Sequence, residues 1–207
     1  MERSGIILAG GGSSRFGHDK VLMPLAGKPM IQYVLDTISG VVNEKIVVVN
    51  SGVQAENLRK VVEPETLIAI DIDDVEGPLA GAYTGFKESQ GEYSLLLPCD
   101  TPLISREILF HLMELSQNRN AVIPRHPNGY IEPLQAVYRT SPALKAASRS
   151  LNEGRLNLRS MINRLKSVRY VSTLVLRQLD PKLWTFFNVN SPQDVMKAES
   201  ILKSRKQ

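Results

Sequence analysis

The chain is short of the residues and patterns on which several classes of protein depend. Its 207 residues include one cysteine, Cys99, which excludes an intramolecular disulfide and a thiolate-rich zinc site. No apolar run approaches the roughly 20 residues that span a membrane. The first residues lack the charged and then apolar profile of a secretion signal. Lysines and arginines are scattered, without the basic tract or interleaved aromatics of a nucleic-acid binder. We therefore expect a cytoplasmic protein that binds neither nucleic acid nor membrane.

Nucleophilic catalysis also lacks its usual residues. Cys99 has no histidine in a recognisable arrangement, and His18 and His126 show no partner pattern. We expect Cys99 to be a small packed residue, so the candidate chemistry falls to carboxylates, amides and cationic side chains.

The composition of the chain is ordinary for a globular protein with a core. Hydrophobic residues make up 43% of it and charged residues 22%, with a net charge of +4 that would suit anionic small molecules. The length and the absence of repeats or long linkers predict a single domain over residues 1–207.

Short apolar segments alternate with segments of helical spacing through the first half of the chain. Strands that are apolar throughout and separated by helices are typical of a parallel sheet covered on both faces. The sequence therefore predicts an α/β fold, Rossmann-like, with three layers (α/β/α), a mostly parallel sheet and a mixed C-terminal extension. The predicted strands are 5–8, 45–49, 67–70, 93–97, 121–124, 134–138 and 168–171, and the predicted helices are 29–38, 54–61, 79–89, 107–115, 142–150, 158–164 and 193–202.

The most informative stretch follows the first predicted strand. It contains Gly10, Gly11 and Gly12, then Arg15 and Lys20. Glycines allow sharp turns and let a ligand approach the main chain, so several backbone N–H groups can converge on an anion beside fixed positive charge. The spacing matches neither the P-loop nor the dinucleotide fingerprint. We expect a phosphate-bearing ligand here; the alternative is a flexible turn with incidental charges.

Polar residues follow three further predicted strands. Asn50, Asp71 and Asp100 each come at such a strand end, where open parallel sheets bind their ligands. We therefore expect them to share one rim with the glycine loop. Asp100 suits Mg²⁺, which binds through one or two carboxylates together with phosphate oxygens and water. The alternative is that Asp100 or Ser105 caps the following helix.

The acidic patch after the third strand has two interpretations. A carboxylate of Asp71, Asp73 or Asp74 could accept hydrogen bonds from the ring N–H and exocyclic amine of guanine. An exposed acidic turn is the expected role of two of the three. Gly77 and Gly81 flank a predicted helix start whose backbone N–H groups would face the ligand.

Near the C-terminus, two asparagines alternate along an extended segment. Asn188 and Asn190 therefore lie on the same side and could bind a polar second substrate. Ser191 and Pro192 come next and predict a helix start, with serine as the N-cap and proline in the first position.

Four stretches, in order along the chain, resemble the molybdenum cofactor guanylyltransferases, which are Rossmann-like nucleotidyltransferases. The glycine loop alone indicates only the wider superfamily, whereas Cys-Asp-Thr-Pro and Asn-x-Asn-Ser-Pro narrow the resemblance. The stretches are Leu-Ala-Gly-Gly-Gly-Ser-Ser-Arg-Phe-Gly at 8–17 with Asp19 and Lys20, Gly-Pro-Leu-Ala-Gly at 77–81, Pro-Cys-Asp-Thr-Pro at 98–102 and Asn-Val-Asn-Ser-Pro-Gln-Asp at 188–194.

The resemblance implies transfer of GMP from GTP to molybdenum-bearing molybdopterin, with Mg²⁺ as cofactor and pyrophosphate as by-product. It also implies transient contact with other molybdenum cofactor proteins, a nucleotide-binding half over 1–117 and an acceptor-binding half over 118–207. Asp73 and Asp74 remain alternatives to Asp71. The implied roles are catalysis by Lys20, Arg15 and Asp100, nucleotide binding by Leu8, Ala9, Gly10, Gly11, Gly12, Lys20, Asn50, Asp71, Gly81 and Asp100, acceptor binding by Asn188 and Asn190, and the metal on Asp100.

Three other functions remain open at this point. A molybdopterin cytidylyltransferase resembles this chain, but such proteins usually have alanine at the position of Gly11 and lack Cys-Asp-Thr-Pro, so guanine is expected. A nucleotidyltransferase for another phosphorylated metabolite, such as a sugar phosphate, is the second. A non-catalytic nucleotide-binding module is the third, and Asp100 and Lys20 argue against it.

Overall fold

The computed structural model describes residues 2–10, 20–71 and 77–205. The predictions made for six residues fall outside these ranges: Gly11, Gly12, Arg15, His18, Asp73 and Asp74.

The described chain contains nine strands, of which seven form one sheet and two form a separate ribbon. In chain order the strands are β1 (Arg3–Leu8), β2 (Pro24–Leu25), β3 (Lys28–Pro29), β4 (Glu44–Val49), β5 (Leu67–Ile70), β6 (Tyr93–Pro98), β7 (Ala121–Arg125), β8 (Ala136–Arg139) and β9 (Val168–Ser172). The order in the sheet is β5-β4-β1-β6-β8-β7-β9, while β2 and β3 pair as a separate antiparallel ribbon.

Strand directions divide the sheet as predicted. The pairs β5–β4, β4–β1 and β1–β6 are all parallel. β8 runs antiparallel to both of its neighbours, β6 and β7, and β9 is parallel to β7. β7 and β9 therefore point the same way as β6. The predicted mostly parallel sheet with a mixed C-terminal extension is confirmed, and six of its seven strands end at the same edge.

Helices cover both faces of this sheet. They are α1 (Met30–Ile38), α2 (Gly52–Arg59), α3 (Pro78–Glu88), α4 (Arg106–Glu114), α5 (Thr140–Asn152), α6 (Leu158–Ile162), α7 (Thr173–Leu176) and α8 (Pro192–Ser204), with 3-10 turns at Lys20–Leu22 and Trp184–Phe186. Buried residues of α1, α2, α4 and α7 pack on one face, and those of α3, α5 and α6 pack on the other. The three predicted layers are therefore present.

The strands contain uninterrupted runs of apolar residues because both faces of the sheet are buried. On β1, Ile7 packs into the core beneath α1, whereas Ile6 and Leu8 pack against α3 on the opposite face. All six residues of β6 are buried. Burial on both faces removes the alternation of polar residues that a one-sided sheet shows, and this holds the central strands rigidly beneath the rim.

The elements that the sequence did not predict are the short ones. β2 and β3 have two residues each and α7 has four, so none of them is long enough to show a period. β8 begins at Ala136, two residues later than expected, and α6 ends at Ile162, two residues earlier than expected.

Among the described residues, no helix combines the length and the apolar character that crossing a membrane requires.

Candidate functional site

Backbone hydrogen bonds join neighbouring parallel strands past their carboxyl ends. The backbone N–H of Asp71 donates to the carbonyl of Val49 at 2.7 Å, and that of Cys99 donates to the carbonyl of Leu8 at 3.1 Å. Cys99 is buried in the core, as expected. These bonds bring the residues that follow β1, β4, β5 and β6 onto one rim, which is where the sequence placed the candidate residues.

Three predicted site residues from distant parts of the chain meet on this rim. The Lys20 Nζ lies 2.7 Å from Asp100 Oδ2 and 2.7 Å from Asn190 Oδ1. The side chains of Lys20 and Asp100 are each 18% exposed, so their ion pair is partly shielded from water. The backbone N–H of Val189 donates to the carbonyl of Asp100 at 2.9 Å, and this bond fixes the C-terminal segment beside β6.

Asp100 does not cap the helix that follows it. Helix α4 begins at Arg106, and the hydroxyl of Ser105 accepts the hydrogen bond from the backbone N–H of Ile108 at 3.4 Å. The helix N-terminus is therefore satisfied by serine. The Asp100 carboxylate stands apart from it and faces Lys20.

One oxygen of the Asp100 carboxylate fits a bound cation. Its Oδ1 is buried and accepts no hydrogen bond from any described residue. A buried acceptor left without a donor costs about 1–3 kcal/mol, and a carboxylate oxygen is a ligand that Mg²⁺ prefers. No cluster of three or more His, Cys, Asp or Glu side chains in the described residues could hold a metal alone. An ion on Asp100 would therefore depend on ligand oxygens and water for its remaining bonds.

Gly10 and Asn50 are in direct contact at the ends of β1 and β4. A Cβ on Gly10 would lie 1.8 Å from the Oδ1 of Asn50, so any other residue here would displace the Asn50 side chain. Gln54 joins the same two strand ends, because its Oε1 accepts from the Asn50 backbone N–H at 3.0 Å and its Nε2 donates to the carbonyl of Ala9 at 3.1 Å. No pattern in the sequence indicated this role of Gln54.

The substitution Gly10→Ala should destabilise the protein by about 1–3 kcal/mol, because the new methyl group must displace the Asn50 side chain. Denaturant unfolding measures this free energy. Gly52→Ala is the matched control, since a Cβ there meets nothing within 4 Å. Equal stabilities of the two variants would show that the contact between Gly10 and Asn50 is absent.

Asp71 lies between the end of β5 and the first turns of α3. The hydroxyl of Thr84 donates to its Oδ1 at 2.8 Å. A Cβ on Gly81 would lie 3.4 Å from the Oδ2 of Asp71 and 3.3 Å from the Cδ2 of Leu8. Gly81 is thus buried where α3 approaches β1 and β5 closely, and its contact with a nucleotide stays a prediction.

The asparagine segment has the alternation that the sequence predicted. Val189 is fully buried, whereas Asn188 and Asn190 on either side of it are exposed. Ser191 caps α8 as expected, because its Oγ accepts from the backbone N–H of Asp194 at 3.2 Å. The carboxylate of Asp194 accepts from the Ser191 hydroxyl at 2.8 Å and from the Asn190 N–H at 3.0 Å, and these bonds lower the pKa of Asp194.

The Asp194 carboxylate should stabilise the protein only above acid pH. Its folded-state pKa lies below the unfolded value of about 3.9. The stabilisation is therefore complete above that value and is lost as the pH falls through the folded-state pKa. We expect Asp194→Asn to be less stable than wild type by about 0.5–1.5 kcal/mol at pH 7, with the difference closing towards pH 3. Denaturant unfolding across this range measures it.

Glu56→Gln, which removes an exposed carboxylate from α2, is the control for this pH series. A difference between wild type and Asp194→Asn that stays constant down to pH 3 would contradict the proposed hydrogen bonds.

An interaction between His126, just after the end of β7, and Glu132 was not predicted from the sequence. The Nε2 of His126 lies 2.8 Å from Glu132 Oε1, its Nδ1 lies 3.5 Å from the hydroxyl of Thr173, and its ring packs edge-on against Phe186. The sequence showed no partner pattern for His126, and the structure gives it Glu132 as a partner. The pair forms because the chain folds back after β7, with a bridge between Arg125 and Ile131. The dipeptide Asn128-Gly129 lies in this turn, where Gly129 has a φ of 85°, and it is the sequence signal that could have indicated the turn.

The fold and the rim place this chain among α/β proteins that bind ligands at the carboxyl edge of a parallel sheet. A family model described as the MobA-like NTP transferase domain matches residues 5–168. The chain belongs to this nucleotidyltransferase family, and the family predicted from the sequence is confirmed.

Individual relatives agree with the family model over almost the full chain. A molybdenum cofactor guanylyltransferase of Desulfosudis oleivorans is 33% identical, over 97% of this chain and 96% of its own. A probable molybdenum cofactor guanylyltransferase of Methanosarcina acetivorans is 34% identical, over 93% of this chain and 88% of its own. The solved structure of molybdopterin-guanine dinucleotide biosynthesis protein A from Archaeoglobus fulgidus is 30% identical, with a TM-score of 0.82 over 97% of this chain and 99% of that one.

Proposed function

We propose that the protein transfers GMP from GTP to the phosphate of molybdenum-bearing molybdopterin, which gives the guanine dinucleotide form of the cofactor and pyrophosphate. The observation that carries the proposal is the meeting of Lys20, Asp100 and Asn190 at one point of the rim. A cation for phosphates thereby contacts both a carboxylate for a metal and an amide for the acceptor. The full-length similarity to molybdenum cofactor guanylyltransferases supports the same reaction.

The reaction needs alignment and charge neutralisation more than proton transfer. A phosphate oxygen of molybdopterin attacks the α-phosphorus of GTP in line, the new oxygen–phosphorus bond forms, and the bond to the bridging oxygen of pyrophosphate breaks. The attacking phosphate is already an anion near neutral pH, so no general base is required. Lys20 neutralises charge on the phosphates, and Arg15 would assist it.

Asp100 would hold Mg²⁺, which withdraws charge from the phosphate oxygens when it is bound. In the structure, the ammonium group of Lys20 balances the Asp100 charge. Once the triphosphate is present, Lys20 has phosphate oxygens as a second set of anionic partners. The unpartnered Oδ1 of Asp100 is the oxygen that supports the metal assignment.

The remaining predicted residues divide between the two substrates. We place the guanosine moiety against the main chain of Leu8, Ala9 and Gly10, with Asn50 at the neighbouring strand end and Asp71 as the acceptor for guanine N–H groups. Asn188 and Asn190 would face molybdopterin. Residues 1–117 would then act as the nucleotide-binding half and 118–207 as the acceptor-binding half.

A panel of substrates tests this function. Pyrophosphate release is measured with GTP, CTP, UTP and ATP and Mg²⁺, each with molybdopterin, with a sugar phosphate or with no acceptor. We expect release only from GTP with molybdopterin. A preference for CTP would indicate a cytidylyltransferase, and release with the sugar phosphate would indicate a different acceptor. Binding of GTP without any release would indicate a non-catalytic module.

A further inference from the structure

A second cleft, of about 200 Å³, opens between the ends of β7 and β9 and helix α6. Two guanidinium groups stand on its walls with an amide and a phenol, and its floor is apolar. The residues concerned are Arg125, Arg159, Asn163 and Tyr170 on the walls, and Ile131 and Ile162 on the floor.

The two arginines of this cleft are not used to hold the fold together. Neither guanidinium makes an ion pair or a hydrogen bond with any residue that the structure describes. A larger cleft of about 550 Å³ between α4 and α8 also contains arginines, but there Arg106 donates to the carbonyl of Asp36 and Arg205 to that of Leu103. Cationic donors without a protein partner therefore distinguish the cleft at β7 from the larger one.

The position of Arg125 is fixed by its neighbour on β9. Its guanidinium lies 5.1 Å from the centre of the Tyr170 ring, which orients the planar group while leaving its N–H donors available. Beneath these groups, Ile131 and Ile162 are only 8% and 2% exposed. A ligand that fits this combination is anionic and also has a flat or apolar part.

The strand order places the cleft along the same edge of the sheet as the reacting groups. Arg125 is the last residue of β7, and Asp100 comes two residues after the end of β6. β7 and β6 point the same way and are separated by β8 alone, so their ends lie about 10 Å apart along the same edge of the sheet. A ligand that reaches both places must be extended and must present an anionic group at each of them.

We infer that this cleft binds the molybdenum dithiolate and the pterin of the acceptor, while the terminal phosphate of the acceptor reaches Asp100. The inference rests on the proposed function. Molybdopterin has the required form, because it carries a phosphate at one end, an anionic dithiolate with an oxo-metal group on the adjoining ring, and a flat pterin beyond them. Arg125 and Arg159 bind that anionic group, and the apolar floor and Tyr170 contact the pterin.

Binding measurements on two variants test this assignment. In equilibrium dialysis, Arg125→Gln and Arg159→Gln should each weaken the binding of molybdopterin by roughly tenfold to a hundredfold, as expected for loss of a charged hydrogen bond. Binding of GTP should not change, and in turnover the KM for molybdopterin should rise while the KM for GTP stays constant. Arg155→Gln is the matched control, because Arg155 is an exposed arginine in the connection between α5 and α6 and pairs with Glu153.

The outcomes separate this inference from the proposed function. If the wild-type enzyme is active and both variants keep wild-type affinity for molybdopterin, the cleft assignment is wrong and the proposed function stands. Equal loss of GTP and molybdopterin binding would also overturn it, because the cleft would then serve the nucleotide. Wild-type protein that binds GTP but releases no pyrophosphate with molybdopterin would overturn the proposed function, and the cleft assignment with it. Both arginines are exposed, so unchanged melting temperatures are expected.

Discussion

Pyrophosphate release by the Asp100→Asn variant should fall by more than about 10³-fold. A metal ion at a phosphoryl centre contributes several kcal/mol of charge stabilisation, and each 1.36 kcal/mol changes the rate about tenfold. The amide keeps the size of the side chain but loses the charge that would hold Mg²⁺. The hydrogen bond from Lys20 to Asn190 does not depend on this carboxylate, so the fold should persist. A steady-state pyrophosphate assay over a range of Mg²⁺ concentrations measures the effect.

A control variant and a binding measurement make the Asp100 result specific. Asp36→Asn removes a carboxylate of α1 that pairs with Lys28, away from the rim, and should keep wild-type turnover. Binding of Mn²⁺ in the presence of GTP, followed by electron paramagnetic resonance, should be lost in Asp100→Asn and retained in Asp36→Asn. An Asp100→Asn enzyme within tenfold of wild-type activity would remove Asp100 from the metal site.

Lys20→Met should lower kcat by about 10²–10³-fold, the usual cost of removing one donor that stabilises developing charge. The effect should extend to GTP affinity, because the ammonium group would contact the phosphates in the ground state as well. Stopped-flow measurement of a single turnover separates the chemical step from binding. The flexible methylene stem is largely preserved in methionine, so the loss is chiefly one of charge.

Lys28→Met is the matched control for Lys20. Lys28 pairs with Asp36 and lies 4.0 Å from the centre of the Tyr33 ring, so its loss removes an ion pair of similar kind elsewhere. Turnover of Lys28→Met should equal that of wild type. A Lys20→Met enzyme with an unchanged single-turnover rate would exclude Lys20 from catalysis.

The sheet could be predicted because each of its central strands is a short run of apolar residues that can be recognised in the sequence. Runs such as residues 46–49 and 95–97 are apolar on both faces, and only a strand covered by helices on both sides buries all of them. Once the strands are parallel, their polar successors Asn50, Asp71 and Asp100 must meet at one edge. The rim therefore followed from the sequence.

The contacts within the site could not be predicted in the same way. Lys20 and Asn190 are 170 residues apart, and their contact depends on the bond from Val189 to the carbonyl of Asp100. No periodicity encodes a bond of that kind. The sequence indicated that Asn190 faces the acceptor but not that it touches the lysine assigned to the nucleotide phosphates.

The second cleft had no sequence signal either. Arg125 and Arg159 are 34 residues apart and lie on a strand end and on a five-residue helix. They converge only because α6 packs on the face of the sheet where β7 and β9 end. Surface arginines are common in any chain, so the informative property is that neither of these two makes an ion pair or a hydrogen bond with a residue that the structure describes.

The most direct test of the account is a crystal structure of the protein with Mn²⁺ and a GTP analogue that cannot be cleaved at the α-phosphorus. The anomalous signal of manganese should lie within direct bonding distance of the Asp100 carboxylate, with the Lys20 ammonium on the phosphates. A manganese site elsewhere, with Lys20 and Asp100 still paired and the triphosphate distant from both, would contradict the assignment of this rim as the catalytic site.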